Sequence, residues 1–360
     1  MRLCARRKEC VAVYPDILGH ERPMALLEKA RANGRVAHAY LFSGPDGVGK
    51  ERVAMAFAAA LNCQDPEQQP CGHCESCGRI ARGSHPDLRV VACEAERVSR
   101  GEREPEKGRS PSQQIRNADL DEVAAIFRNR PYLGKYKVVL IVDAERMNAN
   151  SQNRFLKTLE EPSDDTVILL ITAHPEALLA TVRSRCQVLA FGPLPRAVIA
   201  KTLEEREDVD AQRALVLAAM SQGSLGRALQ MAGDAFLAQR DAVIGSFERV
   251  QAGDMADLLE VAGELSKGSQ AKEDLKQSLG LMELWCRDKM ITGLGGESSL
   301  GLLINQDKAE ELARPDQAVK PQTLLRWMEH IRRARSALRT NANPRLTMER
   351  CLLAMRTSRL

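Results

Sequence analysis

A glycine-rich segment at residues 44–51 has the residue types and spacing that bind phosphate groups. It reads GPDGVGKE, whereas phosphate-binding loops read G-x-x-x-x-G-K followed by serine or threonine. Glycines let backbone N–H groups approach phosphate oxygens, and the lysine adds a point charge. The hydroxyl that would ligate Mg²⁺ is replaced by Glu51. The residues expected to contact a nucleotide are Gly44, Gly47, Gly49 and Lys50.

A second departure concerns the residues that follow the apolar run 138–142. The run ends in Asp143, which is placed either to hold Mg²⁺ or simply to cap a strand. The next position usually orients the attacking water, and Ala144 has no group that can do so. In an extended chain Glu145 would point the other way. The sequence therefore predicts no efficient ATP hydrolysis, while it leaves binding of ATP or ADP open.

Four cysteines follow the phosphate loop in a C-x7-C-x2-C-x2-C pattern. Four thiolates enclose Zn²⁺ tetrahedrally, and the short spacings let backbone turns direct neighbouring sulfur atoms at one ion. A redox role for the C-x2-C pairs is a weaker interpretation, because it leaves the other two cysteines unexplained. His73 is an additional candidate ligand, but it is more simply interpreted as a residue that does not bind the ion. We predict a structural zinc site made by Cys63, Cys71, Cys74 and Cys77.

Short apolar runs alternate with helical patterns in the first half of the chain. The runs expected to be strands are 39–43, 88–91, 137–142, 167–172 and 187–191. The segments expected to be helices are 50–61, 112–129 and 149–160. This alternation predicts an α/β fold with a parallel sheet covered on both faces. A charged segment over about 94–114 indicates an exposed loop, and only helical patterns follow residue 192.

Composition limits the classes of function. The chain has 360 residues, 44% of them hydrophobic, and a net charge of +4, which suits two or three domains with sizeable cores. No apolar run is long enough to span a membrane, and no secretory signal is evident, so we expect a cytoplasmic protein. Residues 321–360 carry nine arginines against two glutamates. This basic tail fits phosphates or acidic protein as partners about as well as solvated helix faces.

Together the motifs resemble those of the clamp-loader branch of the AAA+ superfamily. The set is highly specific, although each member alone is weak. Beyond about residue 229 the resemblance is limited to helical character and position. The matching stretches are Ile17–His20, 38–42, the phosphate loop, the four cysteines, 156–162, 178–186 and 223–225.

The resemblance implies a three-part organisation and a set of partners. The parts are a RecA-like AAA+ domain over 1–192 with a zinc module at 63–77, a helical lid over 193–245, and an all-α collar over 246–360 for oligomerisation. The implied partners are the tau/gamma motor subunits, the delta subunit, the ring-shaped beta clamp, and primed DNA through the complex. The resemblance also implies that five subunits form an open ring, which loads the clamp within a DNA-directed DNA polymerase holoenzyme.

The resemblance also implies roles for single residues. Arg185, in a Ser-Arg-Cys motif, would act as an arginine finger in trans on ATP held by an adjacent motor subunit. Ile17–His20 would flank the adenine pocket, Thr172 would be the first sensor, and Arg227 the second. Motor subunits are expected to have Gly-Lys-Thr or Gly-Lys-Ser, and Asp-Glu after the apolar strand. Gly-Lys-Glu and Asp-Ala-Glu in this chain therefore favour a subunit that does not hydrolyse ATP itself.

Two other interpretations stay open on the sequence alone. One is an ATP-hydrolysing motor subunit that tolerates Glu51. The other is a zinc-bearing DNA-binding protein with a vestigial fold, although basic residues do not cluster around the cysteines and aromatic residues are only 4%. Turnover by the isolated chain would favour the first. Tight, salt-sensitive DNA binding by the lone chain would favour the second.

Overall fold

The structure is a computed structural model of the chain, and its residues form two compact units. The first unit takes the described residues up to Ile199 together with Gly223–Arg227, and the second takes Ala200–Gln222 and the described residues from Ala228 onward. The division into three domains at 192 and 245 remains a prediction. The structure describes residues 17–67, 69–104, 111–127 (without the side chains of 124–127), 129–233, 235–268, 271–295, 301–314, 319–338 and 342–358.

A parallel sheet forms the centre of the first unit, which confirms the predicted fold class. Its strands are β1 (Ala39–Ser43), β2 (Leu88–Val91), β3 (Lys137–Ile141), β4 (Thr166–Thr172) and β5 (Gln187–Ala190). Their order in the sheet is β2-β3-β4-β1-β5, and each of the pairings is parallel. Strands β3 and β4 are buried along their whole length. They therefore read as continuous apolar runs rather than alternating ones.

Helices make up most of the remaining described chain. In the part of the sequence around the sheet they are α1 (Glu21–Ala32), α2 (Lys50–Asn62), α3 (Glu75–Ala81), α4 (Glu94–Ser99), α5 (Asn117–Phe127), α6 (Ala149–Glu160) and α7 (Ala180–Arg183). Further along they are α8 (Arg196–Glu207), α9 (Ala211–Met220), α10 (Leu225–Met231), α11 (Ala235–Ala252), α12 (Met255–Leu265), α13 (Ala271–Gly295), α14 (Ala309–Leu312), α15 (Pro321–Ala337) and α16 (Pro344–Thr357).

Both faces of the sheet are covered, because successive strand residues point to opposite sides. On one face, Tyr40 and Phe42 of β1 pack with Phe57 of α2, and α1 adds to the same cluster. On the other face, Leu41 of β1 packs with Phe155 of α6, and α5 and α7 join that cluster. The two clusters hold the carboxyl ends of β1, β3 and β4 in fixed positions at one edge of the sheet.

The predicted exposed loop over about 94–114 differs from the structure, because it begins with the short helix α4. Residues 105–110 lie outside the described part of the chain. The helix is favoured because Glu96 and Arg100, one turn apart, form an ion pair with an Nε–Oε1 distance of 2.9 Å. Charge-rich composition had indicated a loop, whereas the spacing of opposite charges stabilises a turn of helix.

We refer to residues 93–116 as the inserted segment, and its two ends are tied together. The carboxylate of Glu94 accepts a hydrogen bond from the backbone N–H of Ser112 at 3.1 Å. The same carboxylate pairs with the guanidinium of Arg116 at 2.9 Å. These contacts fix the base of the segment and hence the position of Arg100 within it.

The second unit is helical throughout its described residues. Trp285 of α13 and Trp327 of α15 are almost fully buried in its core. The indole N–H of Trp327 donates to the carbonyl of Met355 in α16 at 2.8 Å. Arg240 of α11 is also buried and forms a two-pronged ion pair with Asp307 at 2.9 and 2.6 Å. Among the described helices, none combines the length and hydrophobicity that crossing a membrane requires.

Candidate functional site

The phosphate loop joins β1 to α2 at the carboxyl edge of the sheet. Gly47 and Gly49 have φ angles of 71° and 109°, a left-handed region that glycine adopts without strain. Lys50 begins α2 and is nearly buried. Its Nζ donates to the carbonyls of Gly44 at 2.5 Å and Pro45 at 2.8 Å, and burial lowers its pKa. The predicted phosphate contacts therefore lie together at a helix N-terminus, where backbone N–H groups favour anions.

The segment Gly223–Arg227 lies against this loop within the first unit. The backbone N–H of Gly226 donates to the carbonyl of Gly47 at 2.8 Å. A Cβ atom added to Gly47 would come within 2.4 Å of the Ser224 hydroxyl oxygen. That hydroxyl also accepts the backbone N–H of Arg227 at 3.2 Å. The structure thus brings the predicted second sensor to the loop, while the role of its side chain remains a prediction.

Glu51, which replaces the magnesium-binding hydroxyl, faces a cation of its own chain. Arg100 of the inserted segment donates from Nη1 to Oε1 at 2.6 Å and from Nη2 to Oε2 at 2.9 Å. This is the geometry of a strong arginine–carboxylate pair. The Nε of Arg100 donates to Glu96 at 2.9 Å. Burial lowers the pKa of Arg100, but these two carboxylates outweigh burial and raise it overall.

Asp143 follows β3 as predicted, and its carboxylate also has an intrachain partner. The Nε of Arg146 lies 3.1 Å from Asp143 Oδ2. Burial raises the pKa of Asp143, against the opposing effect of that guanidinium. Ala144 is fully buried and has no group to orient a water molecule. Glu145 accepts the backbone N–H of Ala173 at 3.1 Å, so its carboxylate holds the chain just beyond β4.

Thr172 and His20, the last residue of the range 17–20, both lie beside the phosphate loop. Thr172 ends β4 and is fully buried, and its carbonyl accepts the backbone N–H of Gly44 at 3.2 Å. The ring Nε2 of His20 lies 2.8 Å from the carbonyl oxygen of Val48. The structure therefore gathers these candidates around one loop, as the resemblance implied. Their functions as sensor and adenine contact remain predictions.

Arg185 lies apart from this group, just after α7. Its guanidinium donates to the carbonyl of Thr181 at 3.0 Å and pairs with Glu160 at 2.6 Å. The side chain is 36% exposed. Among the described residues it makes no hydrogen bond or ion pair with the phosphate loop of its own chain. This placement suits a residue whose target belongs to another molecule.

The four predicted zinc ligands converge. The Sγ atoms of Cys63, Cys71, Cys74 and Cys77 all lie within 4.8 Å of one another, and no disulfide joins them. Sulfur atoms arranged tetrahedrally at about 2.3 Å from zinc are separated by about 3.8 Å, and the Cys63–Cys74 distance is 4.0 Å. Backbone N–H groups also donate to three of the sulfur atoms, at 3.3 to 3.4 Å. The cluster therefore fits a structural zinc ion without help from His73, which is mostly exposed.

The cysteine cluster is linked to a surface loop at residues 129–136, here called the 129–136 loop. Ser76 of α3 lies 3.0 Å from the Nε2 atom of His85. The other ring nitrogen of His85 accepts the backbone N–H of Asp87 at 3.1 Å. The buried carboxylate of Asp87 then accepts three backbone N–H groups of the loop, at 2.6, 2.8 and 2.8 Å. These donors belong to Tyr132, Leu133 and Gly134.

Replacing Asp87 with asparagine is expected to lower the free energy of unfolding by about 2 kcal/mol, because an amide cannot satisfy three N–H donors. Burial alone would raise the pKa of Asp87, but these hydrogen bonds hold it below its usual value. Stability from a lowered pKa is present above the unfolded-state pKa and lost as pH falls through the folded-state pKa. Urea unfolding at neutral and at acid pH measures both effects. Asp121→Asn, on the exposed face of α5, is the control, and equal losses in the two variants would contradict the explanation.

Three charged residues near the phosphate loop were not predicted from the sequence. They are Glu96, Arg100 and Arg146. The spacing of Glu96 and Arg100 is a local signal for a helical ion pair, and it was hidden in a segment that composition marks as a loop. Arg146 was not predicted as the partner of Asp143, because the sequence suggested for Asp143 either a role in holding Mg²⁺ or a strand cap.

A phosphate loop after β1, a carboxylate after β3 and the strand order of this sheet define the class of P-loop proteins with a RecA-like AAA+ fold. Two family models match the chain. One, described as "DNA polymerase III, delta subunit", matches residues 19–195. The other, described as "DNA polymerase III, delta subunit, C terminal", matches residues 234–357.

Comparison with individual known proteins identifies the family more specifically. DNA polymerase III subunit delta prime of Bacillus subtilis (strain 168) is 30% identical over 336 residues, 93% of this chain and 95% of that protein. The delta prime subunit of Pseudomonas aeruginosa is 37% identical over 229 residues, 63% of this chain and 65% of that protein. The tau subunit of Escherichia coli K12 is 33% identical, over 62% of this chain and 33% of that protein. The chain belongs to the delta prime subunit family of DNA polymerase III, a family of clamp-loader subunits.

Proposed function

We propose that this chain is the non-motor subunit of a clamp loader, which lends Arg185 to a neighbouring ATPase. In this proposal it joins tau/gamma motor subunits and a delta subunit and helps load the beta clamp onto primed DNA. The observation that carries the proposal is the ion pair between Glu51, at the end of the phosphate loop, and Arg100 of the inserted segment. The family match over nearly the whole chain supports the partners.

The ion pair explains why the loop would not drive hydrolysis. Phosphoryl transfer in P-loop proteins needs Mg²⁺, held by a loop hydroxyl and by the acid after the third strand. Here Glu51 is paired with Arg100 at 2.6 Å and Asp143 with Arg146 at 3.1 Å. Binding of Mg²⁺ would have to break both contacts. Ala144 in addition leaves the attacking water without an orienting group.

Turnover by the purified chain tests the proposal directly. We expect no steady ATP hydrolysis above background from the chain alone, and stable co-purification with tau/gamma and delta subunits. Lys50→Ala should leave ATP hydrolysis by the assembled complex unchanged. Hydrolysis by the chain alone at a motor-like rate, abolished by Lys50→Ala, would overturn the proposal, and so would failure to join the other subunits.

Because Glu51 and Arg100 stand in place of a magnesium-binding hydroxyl, replacing both residues should give nucleotide binding that depends on Mg²⁺. The double variant Glu51→Thr with Arg100→Ala is expected to bind ATP at least about tenfold more tightly in Mg²⁺ than in chelator, because a hydroxyl then ligates the ion. The unchanged chain should show no such difference. Fluorescent-nucleotide titration measures the affinities. Arg103→Ala, in the same inserted segment, is the matched control for loss of a cation and should behave as the unchanged chain.

We further propose that Cys63, Cys71, Cys74 and Cys77 hold one structural zinc ion. A tetrahedral site of four thiolates has no open position, so the ion would supply folding energy and no catalysis. The converging sulfur atoms and the backbone N–H donors around them support this assignment.

A further inference from the structure

The 129–136 loop is held rigidly by the frame that also carries the cysteine cluster. The three N–H donors to Asp87 fix its middle. Asn62, the residue before Cys63, accepts the backbone N–H of Tyr136 at 2.8 Å and fixes its end. A Cβ atom added to Gly134 would lie 2.3 Å from Asn62 Oδ1. Only glycine therefore lets the loop pass so close to this anchor.

This loop exposes to solvent an aromatic ring that is flanked in the sequence by two cations. Tyr132 is 88% exposed, although its backbone N–H bonds to a buried carboxylate. Arg130 and Lys135 are exposed as well. Neither cation has an ion-pair partner within the described part of the chain. An exposed aromatic ring on an ordered backbone loses little further conformational entropy when a partner covers it.

We propose that the 129–136 loop is a contact site for single-stranded nucleic acid. Each nucleotide of a single strand offers a flat base to stack on Tyr132 and a phosphate for Arg130 or Lys135. Duplex DNA fits less well, because its bases are already stacked. An acidic protein surface would pair with the cations but offers nothing specific to the ring. The site goes beyond the proposed function, in which the chain reaches DNA through the complex, and it does not depend on Arg185.

Fluorescence anisotropy with labelled oligothymidylate and the full-length chain tests the site. Two phosphate contacts predict that log K falls with log salt with a slope of about −1.4, because each contact on a single strand contributes about −0.7. Tyr132→Ala should weaken binding about tenfold and leave the slope unchanged, since stacking releases no ions. Lys135→Gln should reduce the slope by about 0.7. Tyr132→Trp should retain binding.

Lys201→Gln, an exposed lysine of α8, is the control for general loss of charge and should leave affinity and slope unchanged. Equal binding by Tyr132→Ala and the unchanged chain, or tighter binding of the matched duplex, would overturn the proposal. Absence of any binding to the oligonucleotide would do the same. If Tyr132→Ala instead lost co-purification with other clamp-loader subunits, the loop would be a protein contact and the nucleic-acid assignment would be incorrect.

Discussion

Under the proposed function, replacing Arg185 with alanine is expected to slow ATP hydrolysis by about 10³-fold at the adjacent motor site, because a guanidinium supplied in trans stabilises the charge that develops on the transferred phosphoryl group. Binding of ATP at that site should change far less. Assembly of the ring should not change, since the guanidinium of Arg185 bonds to Thr181 and Glu160 of its own chain. Single-turnover hydrolysis by the reconstituted complex separates the affected site from the others.

Two variants serve as controls for this prediction. Arg183 is exposed and two residues away in the sequence, so Arg183→Ala removes an equal charge close by in the chain and should leave the rate unchanged. Arg185→Lys keeps the charge but loses the planar fork, and we expect it to recover little activity. An unchanged rate in Arg185→Ala, with the complex intact by size-exclusion chromatography, would show that Arg185 does not act as an arginine finger.

Removal of zinc is expected to have the largest effect on stability. The purified chain should contain about one zinc ion, and a structural zinc ion in a small module contributes about 10–16 kcal/mol of apparent binding free energy. Chelation or Cys74→Ser should therefore unfold the module around α3. Because Asn62 and His85 link this module to the 129–136 loop, the loop should also lose its order. Limited proteolysis with metal analysis measures both.

The control for the zinc prediction is a cysteine outside the cluster. Cys186 is partly buried and has no cysteine partner in the cluster, so Cys186→Ser should keep the full zinc content and the same proteolysis pattern. A folded chain without metal, with the unfolding temperature of the untreated protein, would contradict the zinc assignment.

The sequence predicted the sheet well because its signals are local. The central residues of β3 and β4 are continuous apolar runs, 138–141 and 167–171. The cysteine cluster was predictable for the same reason, since its ligands lie within a single short segment. The start of α5 was less accurate: a helix over 112–129 was predicted, and α5 begins at Asn117. Ile115, two residues before this start, instead pairs as an isolated bridge with Met147, a contact between distant segments.

The arrangement around Glu51 could not be predicted, because its partner Arg100 is 49 residues away in the sequence. No periodic pattern or motif connects residues across such a distance. The loss of the hydroxyl could be seen from the sequence, but not what the carboxylate contacts. The same holds for Asp87, whose three N–H partners lie 45 to 47 residues away.

The pairing of Glu51 with Arg100 has an evolutionary consequence. A reversal of Glu51 to a hydroxyl residue alone would leave Arg100 with Glu96 as its remaining carboxylate partner beside the loop. Loss of Arg100 alone would leave the Glu51 carboxylate without this guanidinium. Each single step would therefore pass through a less favourable intermediate. Once acquired, such a mutual dependence acts as a ratchet, and under the proposed function a lineage carrying it would tend to keep a loop that does not drive hydrolysis.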